Sequence, residues 1–442
     1  MQARNRQRII SPGLWLWPCL ALPVLLHFCL LFLYAVNAPR LDDFSEILTF
    51  LPDWHAASGA QEKCSVLFRD YQNHRYVFYH ALLVIFDHIN FRNATIIGNL
   101  PLVMLCGMLL TVTKNHPQKT ILWIITPLLV FNLQSWRAMF WGPLGTSNLL
   151  YPCIALLTCR LAVIGTRGVF LAAVMTAFLA LAHGSGPILL PVIAGYLWTQ
   201  RQNERYAKPV FWGWIIFSLA TLMLYFVIFP LHSDAGYSSH SSRELLENFF
   251  LKAGDVASGF FALLGSHMLY NDASQPWKHQ LAIALGVIEF FWLARLVMQG
   301  ALNKYPALLM WLAFLLLTAA SIASGRVAYA GIDQAMQGHY KLLNSIMLWF
   351  VIVATLEFIA RKYPGGITAA RMAAIALPLA LYLCGWLLFL TPMQAFQRSL
   401  IDDVWHWQET GKLENTETRL YVKQPNLKLK TAVDGGFYIP GN

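Results

Sequence analysis

Apolar runs of about 20 residues, the reach of one helix across roughly 30 Å of hydrocarbon, recur along the chain between short polar links. The first extends from about Gly13 to Val36, behind Arg4, Arg6 and Arg8. A cleaved signal peptide carries an apolar core of only about 7–15 residues, so this run reads as a retained first helix. Further runs lie near 94–113, 120–135, 148–165, 168–183, 187–200, 209–230, 279–300, 306–323, 341–360 and 368–391. The pattern predicts an all-α, polytopic transmembrane helical bundle of about eleven spans. The stretch 76–89 is shorter and polar at both ends, which predicts a helix lying on the outer surface.

Composition excludes the soluble alternative. The chain is 57% hydrophobic and 12% charged, against roughly 25% charged for a soluble globular chain. Its net charge of +10 comes from basic residues scattered in ones to threes between apolar runs. They read as topology determinants rather than a nucleic-acid surface, so the expected environment is a lipid bilayer and no nucleic acid is expected as a partner. With the amino terminus inside, the inner segments carry Arg4, Arg6, Arg8, Lys114, Lys119, Arg160, Arg167, Arg201, Arg205, Lys208, Arg295, Lys304, Arg361, Lys362 and Arg371. Glu204 is the acid among them, a positive-inside pattern.

The outer segments differ in kind. They are 37–93, 136–147, 231–278, 324–340 and the tail 392–442, and they hold most of the acids and much of the histidine, asparagine and glutamine. Residues 1–391 thus read as the membrane module and 392–442 as an outer-face tail. Seven cysteines stand at 19, 29, 64, 106, 153, 159 and 384, all but Cys64 within apolar runs. Neither a disulfide framework nor a zinc site is indicated.

Candidate chemistry concentrates in the first outer segment. Asp42 and Asp43 lie just beyond the first run, in an otherwise acid-poor chain. Helix neighbours point about 100° apart, so one can face a cavity while a partner holds the other. The structural alternative is helix capping, which Asp also favours. Trp136 and Trp141 bracket Arg137, either as an interfacial aromatic belt or as stacking surfaces. Arg40, Lys252 and Lys278 read as solvated surface or headgroup contacts. Residues 233–242 form a polar, turn-rich stretch suited to a mobile flap. His74 and His80 could join the acids around a divalent metal ion, although the spacing fits no strong metal motif. No nucleotide-binding glycine motif or Ser-His-Asp arrangement stands in a credible setting.

These features carry a resemblance. One span, an acidic residue just past it, a long loop with surface helices and a short Asn/Arg link into the next span resemble the first module of the GT-C superfamily of membrane glycosyltransferases. The aminoarabinose and protein-mannose transferases are of that type. Asn73-His74-Arg75-Tyr76, Trp136 to Trp141 and Ser324 to Tyr329 are similar to motifs of bacterial membrane proteins grouped with it. Three positions depart from the usual pattern: Asn73 and Arg137 stand where it has Glu, and His339 where it has Arg.

The resemblance implies inverting transfer of a sugar from a polyprenyl-phosphate-linked donor to an acceptor glycan, lipid or surface protein. The reaction would run on the periplasmic face of a bacterial inner membrane. A base must accept the acceptor's proton, and positive charge must steady the leaving lipid phosphate. Asp42 is the first choice as base and Asp43 the second. The phosphate would meet His74, Arg75, Arg137, Arg326, His339 and Lys341, with Arg75 and Arg326 favoured for their planar fork. Trp136, Trp141, Tyr76 and Tyr340 would contact the sugar, acceptor or lipid chain. Two other readings are a lipid or glycan transporter, which calls for charge at mid-membrane, and a non-catalytic subunit of envelope glycan assembly. Glu289 and Glu357 read as lying toward inner helix ends. Asp87-His88 is a weak acyl-transfer signal.

Overall fold

Where hydrocarbon replaces water, a backbone N–H finds its acceptor only within its own segment, so long apolar runs become helices. The computed structural model describes residues 16–71, 74–206, 209–225, 251–270, 275–328, 331–363, 368–415 and 422–441, with backbone alone at 70–71, 74–75 and 144. Their regular structure is helical, apart from one hairpin that pairs Asp70 with Arg75 and Tyr71 with His74 and a lone bridge between Ile89 and Tyr438. The stretch 233–242 lies outside the described residues.

Among the described residues six helices are long and apolar enough to cross a membrane: Leu16–Tyr34 (α1), Phe91–Val112, Trp277–Met298, Pro306–Val327, Gly338–Lys362 and Thr368–Thr410. Other predicted runs fold as shorter apolar helices, among them Thr166–Ala182, Gly186–Thr199 and Val210–Met223. The run predicted at 120–135 is helical only over Lys119–Val130, 12 residues, or about 18 Å. Beyond it Asn132 accepts the Gln134 N–H and opens a different turn. Val77–Phe86 is a ten-residue apolar helix, about 15 Å long and half a bilayer in reach.

The turns gather at two ends. At one, Arg160 donates to Thr111 at 2.7 Å, Tyr206 donates to the Ala162 carbonyl at 2.9 Å, and Lys304 meets Glu357 at 3.3 Å. At the other, Trp141 reaches Asp43, and Tyr438 donates to the Asn37 carbonyl at 2.7 Å. The carboxy-terminal segment therefore shares an end with the first loop. It arrives there on the last helix, Thr368–Thr410, whose 43 residues extend about 64 Å, twice the hydrocarbon depth.

Part of 231–278, read as an outer loop, belongs to the bundle instead. Helix Ala253–Gly265 packs on Trp277–Met298 so closely that a Cβ on Gly265 would lie 2.2 Å from the Gly286 nitrogen. Asn344 donates to the Leu263 and Leu264 carbonyls, and Lys341 to the Ser266 carbonyl. Side chains thus satisfy the carbonyls that any helix end leaves open. Glycines let the two backbones touch.

Candidate functional site

The site is built where α1 ends. Pro39 lacks an N–H and disfavours helix in the residue before it, so the chain leaves α1 extended. Leu41 then takes a left-handed φ of 46°, unusual for a residue with a branched side chain. A short helix, Asp43–Glu46 (α2), follows directly. The left-handed kink turns the two adjacent acids under the bundle's rim, and backbone outliers of this kind collect at functional sites.

The two carboxylates part company there. Asp43 is fully buried. Its Oδ2 accepts the Arg40 backbone N–H at 3.1 Å, and its Oδ1 accepts the Trp141 indole N–H at 3.3 Å. Burial pushes its carboxyl up from the usual 3.8 to about 7, against the pull of the Arg40 N–H and guanidinium. Asp42 is half-buried. It stands at the α2 N-cap, yet its side chain makes no capping bond. Its charge acts instead on Arg40 and Arg326.

The cations arrive from four elements. Arg40 is buried, with its guanidinium 4.3 Å from the Trp141 ring and 5.2 Å from that of Phe396. Loss of water lowers its pKa to about 9, countered in part by Asp43, so it stays charged at neutral pH. Arg137, on helix Trp136–Met139, projects outward between the rings of Trp136 and Tyr270, at 5.3 and 5.9 Å. Among the described residues it makes no ion pair. Gly338 lies flat against it: a Cβ there would come within 2.6 Å of the Arg137 Cδ. Arg326 lies in the field of Tyr340, Tyr76 and Asp42. His339 sits 6.2 Å from the Trp141 ring and 4.0 Å from that of Tyr340.

Packing thus brings Asp42, Asp43, Arg137, Arg326, His339, Trp136, Trp141, Tyr76 and Tyr340 together. Lys341 does not join them. It is fully buried and turned inward, donating to the Ser266 carbonyl and hydroxyl and to the Leu269 carbonyl. All three ammonium protons have protein acceptors, so this lysine braces helix Ala253–Gly265. His74 and Arg75 form the second strand of the hairpin; their side chains lie outside the described residues.

Sequence reasoning missed Arg40, taken for surface, although it is the first cation past α1 and three residues before Asp43. It also missed what holds the loop rigid. Buried Glu46 accepts from His80 at 2.6 Å and lies 3.7 Å from Arg69, which in turn pairs with Asp53 at 2.7 Å. His80 also bonds the Leu67 carbonyl at 2.9 Å and stacks on Phe50 at 4.2 Å. Burial alone would raise the Glu46 pKa; His80 and Arg69 outweigh it and hold it below the usual value. Both ring nitrogens of His80 are therefore occupied within the protein. Among the described residues no group of three or more His, Cys, Asp and Glu is arranged to hold a metal ion.

An open groove borders the cluster. About 330 Å³ in volume, it lies between Trp136 and Arg137 on one side and Pro392, Ala395, Phe396 and Ser399 of the last helix on the other. One wall is largely apolar and one end carries the Arg137 guanidinium, unpaired with any acid among the described residues, a combination suited to an amphiphile with an anionic head. No family model, curated protein or solved structure matches this chain.

Proposed function

We propose that this chain is an integral membrane glycosyltransferase that moves a sugar from a polyprenyl-phosphate donor to an acceptor hydroxyl, with inversion, on the outer face of a bacterial inner membrane. In this reading the chain has the GT-C architecture, with about eleven passes and a cytoplasmic amino terminus. Arg160, Arg201, Arg205, Lys304 and Arg361 then face the cytoplasm, at the end opposite Asp42. The observation that carries the reading is the enclosed acid pair, Asp42 and Asp43, set among Arg40, Arg137 and Arg326 beside an amphiphile-sized groove.

Asp42 is the base, because it is the acid a substrate can reach. Its carboxylate takes the acceptor's proton as the acceptor oxygen bonds to the anomeric carbon. The bond from that carbon to the phosphate oxygen breaks, and its electron pair leaves with the lipid phosphate. Arg326 and Arg137 offset that charge by their positive fields. Asp43 holds Trp141 and the Arg40 backbone, and so sets the loop's shape. Tyr76, Tyr340 and His339 line the approach to Arg326.

Transfer from a polyprenyl-phosphate sugar donor in proteoliposomes is the test. Asp42→Asn should lower it at least a hundredfold, the usual range for loss of a general base, while the protein stays folded. Full transfer by Asp42→Asn, Asp43→Asn and the double variant would remove the catalytic assignment.

One observation favours the transporter alternative. Glu289 lies near the middle of Trp277–Met298, where the sequence suggested an inner end, and it pairs with His267. Ionisable pairs at that depth often mark a transport path. Movement of a lipid-linked glycan across liposomes, lost on Glu289→Gln and without cleavage of its sugar–phosphate bond, would decide for transport.

A further inference from the structure

A buried charged donor left without an acceptor is expensive, and such a group in a folded protein calls for an explanation. Arg40 is one. It is 4% exposed, and only its Nη2 is satisfied, by the Arg137 carbonyl at 2.9 Å. Its Nε and Nη1 meet no acceptor among the described residues. The Asp43 carboxylate takes its hydrogen bonds from the Arg40 backbone and Trp141 rather than from this guanidinium.

Two further features point the same way. Among the described residues Arg137 is also without an acid partner, and the two guanidiniums repel each other across this small region. Phe396 connects them to the groove: its ring lies beneath Arg40, touches Trp136 at 5.6 Å, and forms part of the groove wall. Around this point, among the described residues, three arginines, Arg40, Arg137 and Arg326, face two acids, Asp42 and Asp43, so positive charge is in excess. A tetrahedral oxyanion can meet several N–H donors at once and is bound most strongly by guanidinium.

We infer that Arg40 and Arg137 together hold one phosphate ester, whose apolar substituent lies along Phe396, Ala395 and Pro392 of the last helix. The assignment deepens the transferase reading, since it gives the donor's phosphate a residue that the sequence had placed on the surface. It can still stand or fall by itself, because binding needs no transfer. The cation–π contacts with Trp141 and Phe396 hold the guanidinium in place before any ligand arrives.

The test uses the full chain in detergent, titrated with a polyprenyl monophosphate, with the unphosphorylated polyprenol and with inorganic phosphate. The lipid phosphate should bind, and both Arg40→Gln and Arg137→Gln should weaken it tenfold or more, as loss of a charge-assisted contact does. Polyprenol should bind no better to the native chain than to either variant. Inorganic phosphate should bind more weakly than the lipid phosphate, with the same dependence on both arginines. Should Arg40→Gln fail to fold, the exposed Arg137 still supplies the answer. Undiminished lipid-phosphate binding by Arg137→Gln, or equal binding of polyprenol, overturns the assignment, and inorganic phosphate binding as tightly as the lipid overturns the apolar part. Binding without any sugar transfer would remove the transferase reading and leave this one intact, whereas normal transfer by Arg40→Gln would do the reverse.

Discussion

Asp42 and Asp43 differ by one position and by everything that surrounds them. Asp43 carries the measurable consequence. Its carboxyl has an ordinary value of 3.8 and reaches about 7 in the folded protein. Between those limits the folded chain keeps a proton that the unfolded chain has lost. Stability therefore falls as pH rises from about 4 to 7, by on the order of 4 kcal/mol at the most. Glu46 acts in the opposite sense: held below its usual value, it stabilises the fold above its unfolded pKa, and that support is lost as pH falls. Comparing native chain with Asp43→Asn isolates the first effect. The difference between their unfolding midpoints should change steadily from pH 4 to 7 in the variant's favour, and a constant difference would contradict the burial argument. That an acid pair follows α1 is plain in the sequence. Which member is buried is not, because the choice depends on the Leu41 kink and on Trp141, nearly a hundred residues away.

At the scale of elements, the first loop is held from the far end of the chain. Asn37 donates to the Ile439 carbonyl at 3.0 Å and accepts the Phe91 N–H at 2.9 Å, while its own carbonyl accepts from Tyr438. One buried side chain thus joins the exit of α1, the start of helix Phe91–Gly98 and the carboxy-terminal segment. Lys428, on helix Pro425–Asp434, adds a bond to Ser45 of α2 at 2.9 Å. Asn37→Ala removes two side-chain bonds and leaves the Phe91 N–H buried without its acceptor, a loss of about 2 kcal/mol. Amide hydrogen exchange should then accelerate across 432–441 while the Lys341–Lys362 helix stays protected. Unchanged exchange there would mean that the tail is held by other contacts. Helix existence was legible from the apolar runs, but helix length was not. Lys119–Val130 stops early because Asn132 begins a new turn, and Ala253–Gly265, at 13 residues, is shorter than the apolar runs read as spans.

For the molecule as a whole, the two ends differ in what they gather: Lys304 and Arg361 meet Glu357 at one, and the acid pair with its arginines and aromatic rings lies opposite. The orientation in the proposed reading can be read directly from Cys64, which is free, exposed and on the first-loop helix Ala60–Leu67. A maleimide that does not cross membranes should label Cys64 once the outer membrane is opened. Cysteine placed at Arg201 should react only after the inner membrane is permeabilised. The reverse pattern would turn the molecule over and remove the periplasmic site.

The apolar runs were enough to establish a helical membrane chain, and the adjacent acids past α1 directed attention to the first loop. Both follow from local composition, because hydrocarbon acts on each segment by itself. Tertiary structure alone decided that Asp43 is the sheltered acid, that Arg40 is buried with two donors unmet among the described residues, and that Lys341 is occupied elsewhere. These facts depend on Trp141, Ser266 and Phe396, which reach the same few ångströms only when distant helices pack. No local pattern of residues encodes where such partners will meet.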